Sequence, residues 1–358
     1  MKAIFEKIIV GDISSKNRII RSATQEGSAA PDGHIGTALI SVYKELSAGG
    51  VGIIITGMVG VDENSRVFPL MAKTYDDRFV DGLREIVYDA HQNDCKVVVQ
   101  LAHCGAKASP DDGSNPLAPS DIPAGKDKLA KGMTKDEINN VVQSFAMAAL
   151  RCKEAGADGV QIHGAHGYLL SEFLSPFFNK RKDEYGGSIA NRARIIFEVY
   201  DAIRSKVKDD YPVWIKINSE DFVDGGLSFE ESLWVCRELD QRAINAIEVS
   251  GGISVSRESA STRIVPNQNE KGTFSDYALT VANRVNASVI SVGGYRAPDM
   301  IEQWLNKGKV EAISLCRPLI CEPDLPNVWK SGDRQDSRCI SCNKCFGYSD
   351  GFGCKVFK

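Results

Sequence analysis

VWIKINSEDFVDGGLSFEESLWVCRELDQRAINAIEVS, residues Val213–Ser250, holds the pattern that decides the fold. It opens on a near-continuous apolar run, Val213–Asn218, and closes on another, Ala246–Ser250. Runs of this kind suit parallel strands buried on both faces. Between them, Ser228-Phe-Glu-Glu231 is a capping box, with Leu233, Val235, Cys236 and Leu239 following at helical spacing. The unit is strand, capped helix, strand.

The same unit recurs outward in both directions. Further strands are expected at Asn17–Thr24, Val51–Met58, Lys96–His103, Gly159–His163, Ser288–Val292 and Glu311–Leu315, which makes eight with the two above. A second capping box, Thr134-Lys-Asp-Glu137, opens a helix carrying Ile138, Val141, Val142, Phe145, Ala149 and Cys152 on one face. Asp76–Asn93 and Ile189–Val207 are helical as well. Eightfold alternation over 358 residues predicts a single (β/α)8 TIM barrel, α/β in class. An open dinucleotide-binding sheet would show GxGxxG after its first strand, and none is there. The expected organisation is a barrel over 1–330 and a Cys-rich C-terminal tail over 331–358.

Composition narrows the function classes. Charged residues are 25% and hydrophobic residues 43%, ordinary for a globular chain. A net charge of −4 gives no footprint for nucleic acid. No apolar run approaches the roughly 20 residues that span a bilayer. The N-terminus interrupts its apolar positions with charge, so no secretory signal is read and a cytoplasmic location is expected. The composition carries no interface signal, so a monomer and a homo-oligomer both stay open.

Functional residues of such barrels sit just past the strand C-termini. Two long loops follow strands there, Cys104–Gly132 and Ile253–Phe274. Of five histidines, His103, His163 and His166 fall at the ends of strands three and four. Gln100 lies three residues before His103, so period two puts them on opposite faces unless the strand ends between them. Gln100 both donates and accepts, which suits a heterocycle edge. Lys216, inside an apolar strand, is costly unless it meets a ligand or an anion. Strand seven ends in Gly293-Gly294 and strand eight in Cys316-Arg317, where such barrels cradle phosphate. Paired glycines let amides approach, and Arg317 can fork onto phosphate oxygens.

Asn17-Arg-Ile-Ile-Arg-Ser-Ala-Thr24, Gln100-Leu-Ala-His103, His163-Gly-Ala-His-Gly-Tyr168 with Glu172-Phe-Leu-Ser-Pro176, and Asp183-Glu-Tyr-Gly-Gly-Ser-Ile-Ala-Asn-Arg192 together resemble the old yellow enzyme family. The tail and Arg317-Pro-Leu-Ile320 look closest to the branch holding the barrel domain of 2,4-dienoyl-CoA reductase. The resemblance implies an FMN-dependent NAD(P)H oxidoreductase, an ene-reductase acting on α,β-unsaturated carbonyl compounds. FMN would lie at the C-terminal mouth. Ser22, Ala23, Thr24 and Gln25 match the first-strand segment at the isoalloxazine, Gly57 the position under the ring, and Gln100 the pyrimidine edge. Lys216 matches the cation near N1 and C2=O, which stabilises the anionic reduced flavin. Gly293, Gly294, Cys316 and Arg317 match the phosphate site. His163 and His166 match the pair that hydrogen-bonds the substrate carbonyl as charge develops. Hydride would pass from flavin N5 to the β-carbon, and Tyr168 matches the proton donor to the α-carbon. Gln25 departs from the Thr or Cys common near N5 and C4=O. That reductase also continues into further flavin and nucleotide domains, so electrons are expected here from free NAD(P)H or an external partner.

Two other classes stay open on the residues. One is a zinc barrel hydrolase with His103, His163 and His166 as ligands. The other is a flavin-bearing electron carrier whose tail docks a partner. In the tail, Cys339, Cys342, Cys345 and Cys354 make a four-thiolate set. The set suits a [4Fe–4S] cluster, which that branch of the family carries here, or structural zinc; a metal-free tail is the third reading.

Overall fold

A computed structural model describes the chain except residues 64, 111–112, 125–128, 257–271, 347–350 and 358. Most of the loop expected after strand six therefore lies outside the described residues, as does Gly347 of the tail.

The eight expected strands form, in register and all parallel. They are β1 (Ile19–Arg21), β2 (Ile53–Ile55), β3 (Lys96–Ala102), β4 (Gly159–Gly164), β5 (Val213–Asn218), β6 (Ala246–Ser250), β7 (Ser288–Val292) and β8 (Val310–Leu315). Each pairs with its successor, β8 returns to β1, and the sheet closes. Ile313 sits opposite Ile19, and Gln161 opposite Gln100.

Among the described residues, the helices that follow the strands around the barrel are α1 (Thr37–Ala48), α2 (Val80–His91), α3 (Lys135–Glu154), α4 (Arg194–Val207), α5 (Phe229–Gln241), α6 (Ser275–Ala282), α7 (Pro298–Leu305) and α8 (Leu325–Lys330), with shorter ones at Leu169–Leu174, Ile189–Arg192 and Arg317–Cys321. Both capping boxes close as the sequence predicts. Glu137 accepts from the Thr134 amide at 2.7 Å and donates its own amide to Thr134 Oγ1 at 3.2 Å. Ser228 and Glu231 repeat the exchange at the start of α5. Each box satisfies two amides that would otherwise face no acceptor.

Period-two alternation sorts the strands into two cores. Outward residues such as Ile54, Val99, Ile162, Ile215 and Ile313 are buried under the helices. Inward residues Ile20, Ile53, Ile55, Val98, Trp214, Ala246, Ile290 and Ala312 fill the barrel floor. A hairpin of Ile8–Val10 and Ile13–Ser15, absent from the sequence expectation, plugs that end. Trp214 Nε1 donates to the Gly11 carbonyl at 3.0 Å, and Gly11 takes a φ of 50° with no room for a side chain against the indole. A closed floor leaves the opposite mouth for a ligand. The loop after β3 folds into a small sheet of Leu117–Ala118, Ile122–Pro123 and Leu129–Gly132. No helix among the described residues is long and apolar enough to cross a membrane.

Candidate active site

Polar side chains replace apolar ones as the strands approach the mouth. A cavity of about 370 Å³ opens there, within the size range of small-molecule sites. Ser22, Ala23, Thr24 and Gln25 after β1, Gln100 from β3, His163 from β4, His166 and Tyr168 after it, Lys216 from β5, and Gly293, Cys316 and Arg317 after β7 and β8 all face it. Residues as far apart in sequence as Ser22 and Arg317 thus share one wall only because the barrel closes.

Two expected residues stand elsewhere. Gly57 lies behind the cavity wall, where a Cβ would meet Glu26 Oε2 at 2.1 Å and the Thr24 carbonyl at 2.4 Å; Met58 lines the cavity instead. Gly294 lines a small cleft beside the cavity, with Gly293, Arg296, Cys316 and Arg317. Gly293 and Gly294 hold φ of 95° and 82°, a left-handed pair that turns backbone amides together and that side chains disfavour.

The histidines divide. His163 and His166 face each other edge-on, with ring centres 5.5 Å apart. His166 and Gly167 take φ of 64° and 70°, which reverses the chain and brings the second ring back over the mouth. Asn218 Oδ1 accepts the His166 amide at 3.0 Å and holds that turn. His166 Nε2 lies 2.8 Å from Ser250 Oγ. His163 lines the cavity, and its Nδ1 is buried without a hydrogen-bond partner. Burial pushes His163 well below the usual imidazole range, helped by the charges of Lys216 and Lys107. Burial and the same two lysines bring His166 down to about 3. Both rings are therefore neutral at neutral pH.

His103 does not join them. It is buried outside the cavity, its Nδ1 accepts the Gly105 amide at 3.2 Å, and burial lowers it to about 4. Strand parity, which puts Gln100 inward, turns His103 away. The three-histidine zinc site therefore does not form. Among the described residues, no group of three or more His, Cys, Asp or Glu is placed to hold a metal ion.

The same holds for the tail. Cys339, Cys342, Cys345 and Cys354 line one narrow cleft with Cys321 and Arg317, but they are not gathered as a ligand set. The Cys354 thiol lies within hydrogen-bonding reach of the Cys321 thiol, at the end of the short helix Arg317–Cys321. Asn343, at a left-handed φ of 62°, accepts from Arg317 Nη1 at 2.9 Å, so the tail is tied to the barrel through its polar residues.

Sequence reasoning missed five residues of this region. Glu248 and Gln161 stand just behind the wall and bind Lys216 and Gln100. Lys107 lines the cavity, with its ammonium 4.5 Å from the Tyr168 ring centre. Ser250 holds His166. Arg296 is buried beside the paired glycines and donates to Ser341 Oγ of the tail. Glu248 was legible by the argument applied to Lys216, because a charge inside Ala246–Ser250 also needs a partner.

Residues 3–336 match the NADH:flavin oxidoreductase / NADH oxidase family. The chain belongs to this FMN-binding family. It is 33% identical over 350 residues to an NADH oxidase of Thermoanaerobacter brockii, covering 96% of this chain and 53% of that protein. It is 33% identical over 325 residues to an NADPH dehydrogenase of Geobacillus sp. (strain WCH70), covering 90% of this chain and 92% of that protein. The chain thus spans about half the length of the first relative and nearly all of the second. Among solved structures, morphinone reductase in complex with tetrahydroNAD superposes with a TM-score of 0.79 at 25% identity, over 94% of this chain and 93% of that one.

FMN fits the residues present. The left-handed pair Gly293–Gly294 with Arg317 and Arg296 offers amides and guanidinium groups at one end of the cavity. Gln100, Lys216 and the segment 22–25 offer donors and acceptors along its floor. The histidine pair and Tyr168 face the same space.

Proposed function

We propose that the protein is an NAD(P)H-dependent ene-reductase that saturates the C=C bond of α,β-unsaturated carbonyl compounds. The observation that carries this reading is the His163–His166 pair. Both rings are neutral and share one cavity with Tyr168, and one ring nitrogen is buried without a partner. FMN held there supplies a hydride donor that NAD(P)H recharges.

The chain's own part follows from its side chains. Arg317 and the amides of Gly293 and Gly294 bind the phosphate, with Arg296 beside them. Ser22, Ala23, Thr24, Gln25, Gln100 and Lys216 bind and orient the ring. His163 and His166 hold the substrate carbonyl oxygen and stabilise the enolate as charge develops there. Tyr168 delivers the proton to the α-carbon. Lys107 holds the turn that carries His166 and lies against the Tyr168 ring.

The relatives are named for NADH and NADPH oxidation, which agrees with a pyridine nucleotide as the electron source. The test is a visible spectrum of the purified protein, then anaerobic reduction by NADH or NADPH and reoxidation by 2-cyclohexenone. A yellow protein that releases FMN on acid treatment and is reoxidised by the enone supports the reading. A flavin reduced by NAD(P)H but indifferent to enones would make it a carrier instead. FAD, or a colourless protein despite flavin supply, would defeat it.

A further inference from the structure

One level above the apolar floor, the inward strand positions carry Ser22, Gln100, Gln161, Lys216, Glu248 and Ser314. These six side chains form one hydrogen-bonded belt. Glu248 is its centre, fully buried. It accepts from Ser22 Oγ at 2.8 Å and Ser314 Oγ at 2.6 Å on one oxygen, and from Gln161 Nε2 at 2.8 Å on the other. Lys216 Nζ lies 3.1 Å from that second oxygen and donates to Ser22 Oγ at 2.9 Å. Four groups that can donate converge on one carboxyl group, an arrangement that suits an acceptor-only carboxylate.

Two consequences reach the cavity, although Glu248 itself does not line it. The first concerns charge. Lys216 and Glu248 are 4% and 0% exposed, so water does not screen them, and from the cavity they act as a dipole rather than a bare cation. The second concerns hydrogen-bond direction. Because Glu248 only accepts, Gln161 must turn its NH2 to it and its carbonyl to Gln100. Gln100 Nε2 then donates to Gln161 Oε1 at 2.7 Å, and Gln100 Oε1 is left for the cavity. The amide that meets the ligand is thus oriented from two residues away.

We propose that Glu248 is a positioning residue of the flavin site, which lowers the reduction potential of bound FMN by offsetting Lys216 and fixes Gln100 as an acceptor toward it. This rests on the FMN reading above. Reduction of FMN builds negative charge beside the cation that Lys216 provides. A neighbouring carboxylate weakens that stabilisation, and its removal strengthens it.

The experiment measures the midpoint potential of FMN in the holoenzyme for four proteins: wild type, Glu248→Gln, Lys216→Met and the double variant. Glu248→Gln should bind reduced FMN at least tenfold more tightly relative to oxidised FMN, a positive shift of about 30 mV or more. Lys216→Met should shift it negative, and the double variant should return close to wild type. A buried pair that is merely structural would alter unfolding but leave the potential where it was. Glu248→Gln leaves a lone buried cation and can fail to fold, whereas removing both charges is commonly tolerated. In that event the double variant must lie positive of Lys216→Met. Bound FMN with an unmoved or more negative potential in Glu248→Gln, or a double variant equal to Lys216→Met, overturns the inference alone. A wild-type protein that holds no FMN overturns the functional reading, and the inference falls with it.

Discussion

The Lys107 ammonium lies 4.5 Å from the centre of the Tyr168 ring and donates to the His166 carbonyl at 2.6 Å. One cation therefore braces both the proposed proton donor and the turn that carries a proposed carbonyl ligand. A desolvated cation–π contact contributes about 2 kcal/mol, and a hydrogen bond from a charged donor about 1.5–3 kcal/mol. Lys107→Met should slow reoxidation of the flavin by an enone roughly tenfold or more, while flavin reduction by NAD(P)H keeps its rate. Tyr168→Phe should show the same asymmetry more strongly. Stopped-flow absorbance of the two half-reactions reads both. Equal slowing of both halves in Tyr168→Phe would remove it as the proton donor.

The histidine pair predicts a flat pH response. His166 is held down to about 3 and His163 well below the usual imidazole range by burial first, so neither ring titrates across the range around pH 6.5 where a free imidazole does. The dissociation constant of a neutral, unreactive carbonyl ligand, followed by flavin absorbance, should not change across that range. His163→Ala with His166→Ala should weaken the same ligand by about 0.5–1.5 kcal/mol per lost hydrogen bond between neutral partners. A binding curve with an inflection near pH 6.5 in the wild type would show that a histidine titrates there and that the site is wetter than its geometry.

Arg317 offers the phosphate end for test. Its guanidinium stands beside two left-handed glycines and already holds Asn343 of the tail at 2.9 Å. Arg317→Met should loosen FMN by about 1.5–3 kcal/mol, the range for a charge-assisted hydrogen bond. Ultrafiltration followed by fluorescence of the released flavin measures the change. Full retention of FMN in Arg317→Met would move the phosphate site away from this cleft.

The barrel was legible because its strands are buried on both faces. Ile53–Ile55, Val213–Asn218 and Ser288–Val292 read as apolar runs whatever the helices around them do. The hairpin at residues 8–15 was not, because its two strands are three residues long and mix Ser and exposed Ile9 with core residues. In the site, residues fixed by strand position were visible: Gln100 and Lys216 are polar where apolar side chains belong. Glu248 and Gln161 carry the same signal but face the belt rather than the cavity. Lys107 gave none, since a lysine in a Gly- and Pro-containing loop reads as solvated until the fold places it over Tyr168. His103 shows the converse. Its position at a strand end placed it with His163 and His166, and one residue of parity took it out.

A last prediction concerns Glu172, which lies beneath the loop that carries Lys107. Its carboxyl group is buried, and both oxygens accept the Ala106 amide, at 3.0 and 3.2 Å. Burial pushes its pKa up to about 8, against an ordinary value of 4.5, while that amide and Lys107 pull the other way. The sign of the linkage follows. Below pH 4.5 the group is protonated in both the folded and the unfolded chain, and it costs nothing. Between 4.5 and about 8 the unfolded chain loses the proton that the folded chain keeps. The folded state therefore loses about 1.4 kcal/mol per pH unit across that window from this group. Above 8 the penalty is constant. Glu172→Gln keeps an oxygen for the Ala106 amide and removes the titration. Measured by urea unfolding of the holoenzyme at pH 5, 7 and 9, the variant should gain stability over wild type as pH rises from 5 to 7 and again to 9. A difference that is flat with pH would mean that the carboxylate is already charged in the fold, paired with Lys107.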